Sequence, residues 1–266
     1  MKKIINKLLA STFGKKRYQR LYEYLYYVSL SGMNMGAGGA INSSGEKEVI
    51  HFISDNFKDL DTVNIFDVGA NVGNYSVLLH DFFKGKGRVF AFEPSKKNFD
   101  KLLATTKGLA NVSHFNFGFG SEDGKITLYG EKDESSWASL YQRRLDHYNV
   151  QMRAIDEIEI RTIDGFCREN NISRINFLKI DVEGHELKVL QGAKDMIKAK
   201  GIDFIQFEFG GCNIDSRTYF QDFYYLLKDD FKIFRVLKDG LHPIPVYKEF
   251  YEVFQNTNFL AERIGR

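Results

Sequence analysis

Asn64-Ile65-Phe66-Asp67-Val68-Gly69-Ala70-Asn71-Val72-Gly73-Asn74-Tyr75-Ser76 is the stretch whose reading decides the fold. An apolar run ends at Asp67 and passes into the turn Gly69 to Gly73, and a helix-like run from Tyr75 to Phe83 follows at once. Strand, glycine turn and helix in that order build a ligand pocket at the carboxyl end of the first strand of a doubly wound sheet. The glycines let backbone approach a ligand where a Cβ would collide. The following helix points its unpaired N–H groups and its positive dipole end at the same spot. A nucleotide-type ligand is the expectation.

Outward from this unit, strand and helix patterns alternate, which predicts a Rossmann-like α/β sheet, mostly parallel, with helices on both faces. Strands are expected at Val63–Val68, Arg88–Glu93, Val112–Phe117, Ile175–Ile180 and Phe204–Phe209. Helices are expected from Tyr75 to about Lys84, from Pro94-Ser95 to Thr106, from His185 to Ala199 and from Thr218 to Leu227. Phe231–Leu237 and Tyr247–Phe254, joined through Asp239-Gly240, read as an antiparallel C-terminal hairpin at the sheet edge. Between the third and fourth strands an insertion at about 119–163 carries strand-like pieces at Lys125–Tyr129 and Glu157–Ile163 around Trp137. Placed over the carboxyl edge of the sheet, it is expected to shape an acceptor site, with a decorative edge hairpin as the alternative. Residues 1–45 read as a helical extension ending in the glycine-rich passage Ser31–Gly39, an ordered loop or lid, and 46–266 as the main domain.

The 266 residues suffice for one large α/β domain, and 27% charged with 43% hydrophobic residues describes a globular chain. A net charge of +2 points to no nucleic-acid partner. Two cysteines, Cys167 and Cys212, are too few for a disulfide scaffold or zinc cluster, so a cytoplasmic location is expected. The basic and aromatic mixture from Lys2 to Tyr27 reads as a helix packed on the domain or used in self-association, ahead of one lying on a membrane surface. No run approaches the length of a membrane span. Oligomeric state is not legible.

Two clusters carry chemistry. Glu93 closes the second strand, where an acid accepts hydrogen bonds from both ribose hydroxyls of an adenosine group. The first turn discriminates further: dinucleotide sites use G-x-G-x-x-G, and here Asn71 replaces the middle glycine. Asp67 places a negative charge beside the turn, which repels pyrophosphate and tolerates a cationic amino-acid tail. Charge therefore favours S-adenosylmethionine over NAD. Expected cofactor contacts are Asp67, Gly69, Ala70, Asn71, Gly73 and Asn74 in the turn, then Glu93, Pro94 and Ser95. Asn116 and Phe117 should flank adenine, and Asp181 belongs to the same set. The second cluster is Leu178–Glu186, where Asp181, Glu183 and His185 crowd one strand end, with Glu208 on the neighbouring strand. Such titratable groups are costly to desolvate unless they pair or serve chemistry.

Asp67 to Gly73, Phe92 to Ser95 and above all Lys179-Ile180-Asp181-Val182-Glu183-Gly184-His185-Glu186 resemble the FkbM-type S-adenosylmethionine-dependent methyltransferases. Ile205–Phe209 and Asn258–Ala261 are similar to that family too, so the resemblance runs roughly from Glu46 to Ala261. It implies a seven-stranded methyltransferase sheet and methylation of a hydroxyl, often on a sugar of a bacterial glycan or a natural product. A general base should add roughly 10²–10⁴-fold to methyl transfer onto a neutral hydroxyl. His185 or Glu183 is expected in that role, with Asp181 and Glu208 orienting donor and acceptor. Asp181 and Glu208 are also hard oxygen ligands of the kind magnesium prefers, which leaves metal use open. Aromatics of the Phe209 to Tyr225 region and Trp137 could stack on sugar rings, although core packing explains most of them. The competing readings are a nicotinamide-dependent oxidoreductase, disfavoured by Asn71 and Asp67, and a non-catalytic binding module on the same scaffold.

Overall fold

The computed structural model describes residues 9–38, 44–131 and 138–266. In chain order the elements are α1 (Gln19–Gly32), α2 (Glu46–Asn56), β1 (Val63–Val68), α3 (Asn74–Phe82), β2 (Gly87–Phe92), α4 (Lys96–Thr105) and β3 (Val112–Phe115). The insertion supplies β4 (Gly118–Phe119), β5 (Gly124–Gly130) and β6 (Arg153–Arg161), followed by α5 (Ile163–Glu169) and β7 (Ile175–Ile180). Then come α6 (Glu186–Gln191), α7 (Lys194–Lys198), β8 (Ile202–Phe209), α8 (Cys212–Ser216) and α9 (Phe220–Leu227). The chain closes with β9 (Phe231–Leu237), β10 (Gly240–Pro243) and β11 (Thr257–Arg263).

The main sheet has eight strands in the order β10-β9-β11-β8-β7-β1-β2-β3, and β4-β6-β5 form a separate small sheet. β3, β2, β1, β7 and β8 are mutually parallel, whereas β11 runs antiparallel to both β8 and β9. The register pairs Val68 with both Phe92 and Ile180, and Ile180 with Phe207. The carboxyl ends of four strands therefore form one line, and the strand order reverses between β1 and β7. In an open α/β sheet this is where ligands bind.

The apolar runs keep a period of two even though both faces are covered. Phe66, Val68, Phe90 and Phe92 join one core, and Val63, Ile65, Val89 and Ala91 join the other. In the first core Phe166 of α5 meets Phe92 and Phe115 edge-on, with centroids at 5.1 and 5.0 Å. Edge-to-face pairs of this kind add about 0.5–1.5 kcal/mol each beyond burial. This aromatic layer lies directly beneath the ends of β1 and β2 and stiffens the floor of the site.

Several expectations need correction. The edge hairpin forms, but it turns at Lys238-Asp239 rather than through Asp239-Gly240, and its second strand is Gly240–Pro243. Tyr247–Phe254 contains only a short 3-10 turn at Glu249–Tyr251, and β11, not expected, inserts between β8 and β9. The core takes Tyr251, and Tyr247 donates its hydroxyl to Glu252, so that stretch is packed without pairing. β3 stops at Phe115 because Asn116 turns the chain, its amide donating to the carbonyls of Glu93 and Pro94. The single helix expected over His185–Ala199 breaks at Gly192, where a Cβ would lie 2.0 Å from the Gly120 carbonyl oxygen.

At the amino end, α1 buries only Leu30 and leaves Tyr24, Tyr26 and Tyr27 exposed, so it is not packed along the domain. Among the described residues no helix is long and apolar enough to cross a membrane. The glycine-rich passage is ordered up to Gly38: Gly36 and Gly38 donate their N–H groups to the Asn256 carbonyl. Its last residue, Gly39, and Trp137 of the insertion lie outside the described residues.

Candidate active site

The turn after β1 is held closed mainly by backbone hydrogen bonds. Gly69 and Ala70 donate to the Phe92 carbonyl at 3.0 and 2.9 Å, and Gly73 donates to Ala70 at 2.8 Å. Gly69 (φ +82°) faces the next strand so closely that a Cβ would sit 1.9 Å from the Asp181 carbonyl oxygen. Asn71 also takes a left-handed conformation (φ 50°), tolerated by asparagine and unusual elsewhere.

A cavity of about 150 Å³ opens beside this turn. Its walls are Val68 and Gly69, then Glu93 and Pro94, then Gly118 and Phe119, with Leu128, Ile158 and Ile160 of the small sheet opposite. Glu93 bridges the two loops: its Oε2 accepts from Asn71 N and its Oε1 from Ser95 N, both at 2.9 Å. Burial pushes its carboxyl up to about 7 despite those two bonds. Each oxygen retains a lone pair for a ligand hydroxyl. Ser95 also caps α4 through Asn98 N. Asn116 and Phe117 are not among the cavity walls: the first is exposed and holds the turn, and the second is buried with Phe92 and Phe119. Gly118 and Phe119 occupy the place expected of them.

A second cavity of about 220 Å³ lies on the other side of the turn. It shares Gly69, Asn71 and Asp181 with the first and adds Ala70, Asn74, Glu46 and Lys179. Lys179 donates to Asp181 Oδ2 at 2.9 Å and lies over the Tyr75 ring. Burial alone would lower its pKa, but Asp181, Asp67 and Glu46 around it hold it above its ordinary value. Asp67 does not face the ligand space as expected. It is fully buried, its Oδ2 takes the Ser76 hydroxyl at 2.6 Å, and Oδ1 has no partner among the described residues. The carboxylate that lines both cavities is Asp181.

The loop after β7 carries the remaining groups. Glu183 is forced into a left-handed conformation (φ 53°) because Glu186 reaches back to accept from Val182 N and Gly184 N. The Glu183 carboxylate takes Arg143 Nη1 at 3.0 Å and Cys212 Sγ at 2.8 Å on the same oxygen, Oε2. Burial, then Asp181, raises its pKa, and Cys212 and Arg143 oppose that rise. Arg143 is also 3.6 Å from Asp215. Glu183 lines the first cavity and equally a groove of about 730 Å³ walled by Arg143, Arg144, His147, Tyr148, Phe254 and Asn256.

His185 lines only the first cavity of this pair. Burial, with Lys188 nearby, pushes it down to about 4, so it is neutral, and Nδ1 pairs with the Tyr141 hydroxyl at 3.0 Å. Glu208 lines neither the cavities nor the groove. It sits against Gly38 and 3.4 Å from Asn256 Nδ2, its carboxyl pushed well up by burial and the carboxylates of Asp181, Glu183 and Glu186. Among the described residues no group of three or more His, Cys, Asp and Glu is arranged to hold a metal ion.

A model of the methyltransferase FkbM domain matches residues 67–232. The chain belongs to the FkbM methyltransferase family. Its similarity to the hexuronic acid methyltransferase AglP of Haloferax volcanii is 26% identity over 169 residues, 62% of this chain and 64% of that protein. It is 25% identical over 142 residues to the 2-O-methyltransferase NoeI of Sinorhizobium fredii, covering 50% of this chain and 58% of that one. The match thus spans less than two thirds of the length of these curated relatives. The crystal structure of a methyltransferase FkbM from Methylobacillus flagellatus KT superposes with a TM-score of 0.44 at 19% identity, over 76% of this chain and 44% of that one.

Within this FkbM chain, four site residues escaped sequence reasoning. Arg143 and Cys212 flank Glu183 from loops without periodicity, and nothing in their local sequence marks them. Glu46 faces the second cavity, held by Ser44 and Gln206 at 2.9 and 3.0 Å, although in the sequence its position marked only the start of the main domain. Glu186 positions the whole loop, and its spacing from Val182 was the one available signal. The groove's aromatics are His147, Tyr148 and Phe254. Of those expected from sequence, Phe209, Phe220 and Phe223 are fully buried in the core.

Proposed function

We propose that the protein transfers a methyl group from S-adenosylmethionine to a hydroxyl of a sugar acceptor. One observation carries the choice of donor. Among the described residues lining the first cavity there is no lysine or arginine, whereas Glu93, Asp181 and Glu183 all face it. A pyrophosphate would meet these carboxylates with no cation on the cavity wall, since Lys179 and Arg143 are already paired with Asp181 and Glu183 from outside it, whereas a sulfonium group is welcome there. The apolar slot between Phe119 and Ile160 suits adenine, and Glu93 suits a ribose diol. The second cavity, with Asp181, Glu46, Lys179 and Asn74, suits a zwitterionic amino-acid tail.

Bound in this way, the cofactor supplies an already activated methyl group. The chain then has to hold the acceptor oxygen in line with it, a contribution worth up to about 7–11 kcal/mol in well-oriented systems. Glu183 is the group shared by the donor cavity and the groove, so it accepts the hydroxyl proton in this reading. Arg143 and Cys212 fix its carboxylate, and Asp181 faces the donor's positive end. The groove combines rings at His147, Tyr148 and Phe254 with planar polar side chains, the mixture that grips a sugar. The name of AglP points to a uronic-acid acceptor and that of NoeI to methylation of an oxygen, both in keeping with this reading.

The test is transfer of an isotopically labelled methyl group to a panel of oligosaccharides and uronic-acid-containing glycans. The expected product carries a base-stable methyl ether. Label appearing only as an ester, or no transfer to any glycan while NAD is consumed, would overturn the reading.

A further inference from the structure

At the edge of the main sheet opposite the glycine turn, a cleft of about 790 Å³ opens where β1 and β7 begin and β11 ends. It shares no residue with the cavities described above. Arg263 forms part of its wall with a side chain only 3% exposed, and its Nε, Nη1 and Nη2 have no hydrogen-bond partner. Its guanidinium lies over the Phe231 ring at 5.2 Å, a contact that attracts the charge and accepts none of the in-plane N–H groups.

Two acids of the cleft wall are already engaged, and Asp230, outside that wall, acts on Arg263 only through its charge. Asp203 is 3.9 Å from Arg263, but it takes Arg174 on both oxygens and Asn176 at 2.9 Å. Glu262 takes Arg266 through Nε and Nη2 at 3.3 and 3.2 Å. Lys232, exposed on β9, has no ion-pair partner among the described residues. Arg174, Lys232, Arg263 and Arg266 thus stand against Asp203 and Glu262, an excess of two positive charges around one cleft.

A desolvated guanidinium with empty donors is expensive unless an acceptor arrives. Its rigid fork of donors matches the oxygens of a tetrahedral oxyanion. We propose that this cleft binds a small dianion, free phosphate or a phosphate monoester, with Arg263 at its base and Lys232 at its mouth. The site is separate from methyl transfer and stands whether or not the reading above is correct.

Inorganic phosphate and a sugar phosphate monoester, each titrated against chloride at matched ionic strength, test this by calorimetry and thermal melting. Phosphate should raise the melting temperature and bind at one site. A stronger response to the monoester would identify the esterified source, and an equal one free phosphate. Arg263→Gln should weaken binding by at least about tenfold. Should that variant fail to fold, Lys232→Gln, on an exposed position, should still weaken it several-fold. Wild-type protein showing no phosphate-specific shift, or binding left unchanged in Lys232→Gln and in any folded Arg263→Gln, would overturn the proposal.

Discussion

Replacing Arg143 by methionine is the most informative perturbation of the catalytic reading. The guanidinium lies 3.0 Å from Glu183 Oε2, and its side chain is 6% exposed against 28% for Glu183. Two unit charges about 4 Å apart at an effective dielectric of about 20 attract by roughly 4 kcal/mol. At about 1.4 kcal/mol per unit that corresponds to about three pKa units. Partial exposure of Glu183 and the remaining Cys212 contact reduce the expected rise to about one to two units. Asp215, released from its own contact with Arg143, pushes the same way. Loss of a cation favours the neutral acid, so the fraction of Glu183 able to accept a proton falls at neutral pH. The acidic limb of kcat/KM against pH should therefore move to higher pH by about one to two units, with activity recovering on the alkaline side. Arg143→Lys should move it less. Breaking a buried pair also costs stability, about 3–5 kcal/mol, so folding must be confirmed by circular dichroism. A folded variant whose limb stays in place while its plateau falls would refute Glu183 as the base.

Three further outcomes follow from the geometry. Gly69→Ala should lower donor affinity by at least about tenfold, since the left-handed backbone costs about 1–2 kcal/mol and the obstacle is the Asp181 carbonyl, not a mobile side chain; titration with S-adenosylhomocysteine measures this, and parental affinity would contradict it. Glu93 and Glu186, both pushed up to about 7 by burial, bind protons on folding between pH 4.5 and 7. Their contribution is full below pH 4.5 and is lost as pH rises through 7, at most about 3 kcal/mol each, so urea melts of ligand-free protein should show a downward step from pH 5 to 8. His185→Gln should retain the rate within about tenfold, because an imidazole pushed down to about 4 is a weak base and His185 does not line the groove; a loss above about a hundredfold would restore it to that role.

What was legible in the sequence is local. The Asp67–Gly73 turn, the Glu93 position and the Asp181–Glu186 loop could be read because each is a strand end followed by residues with special backbone needs. Strand runs such as Ile175–Ile180 were legible from apolar residues broken only by Asn176 and Lys179. What escaped depends on partners far along the chain. Whether Asp67 faces ligand or core is decided by Ser76 and by the depth of the turn. Arg143 meets Glu183 only because the insertion folds back over the sheet. β11 was hidden because Tyr247–Phe254 is equally apolar and aromatic, and only the long-range pairing of Thr257–Arg263 with both β8 and β9 distinguishes them.

The central claim is that the cavity walled by Glu93, Phe119 and Asp181 is a sulfonium-nucleoside site, and calorimetry tests it most directly. Titrating S-adenosylhomocysteine and S-adenosylmethionine into folded protein should give one site each, weakened at least about tenfold in Glu93→Gln by loss of the ribose acceptor. NAD should release no heat. Binding of NAD with silence toward both adenosyl compounds would contradict the account.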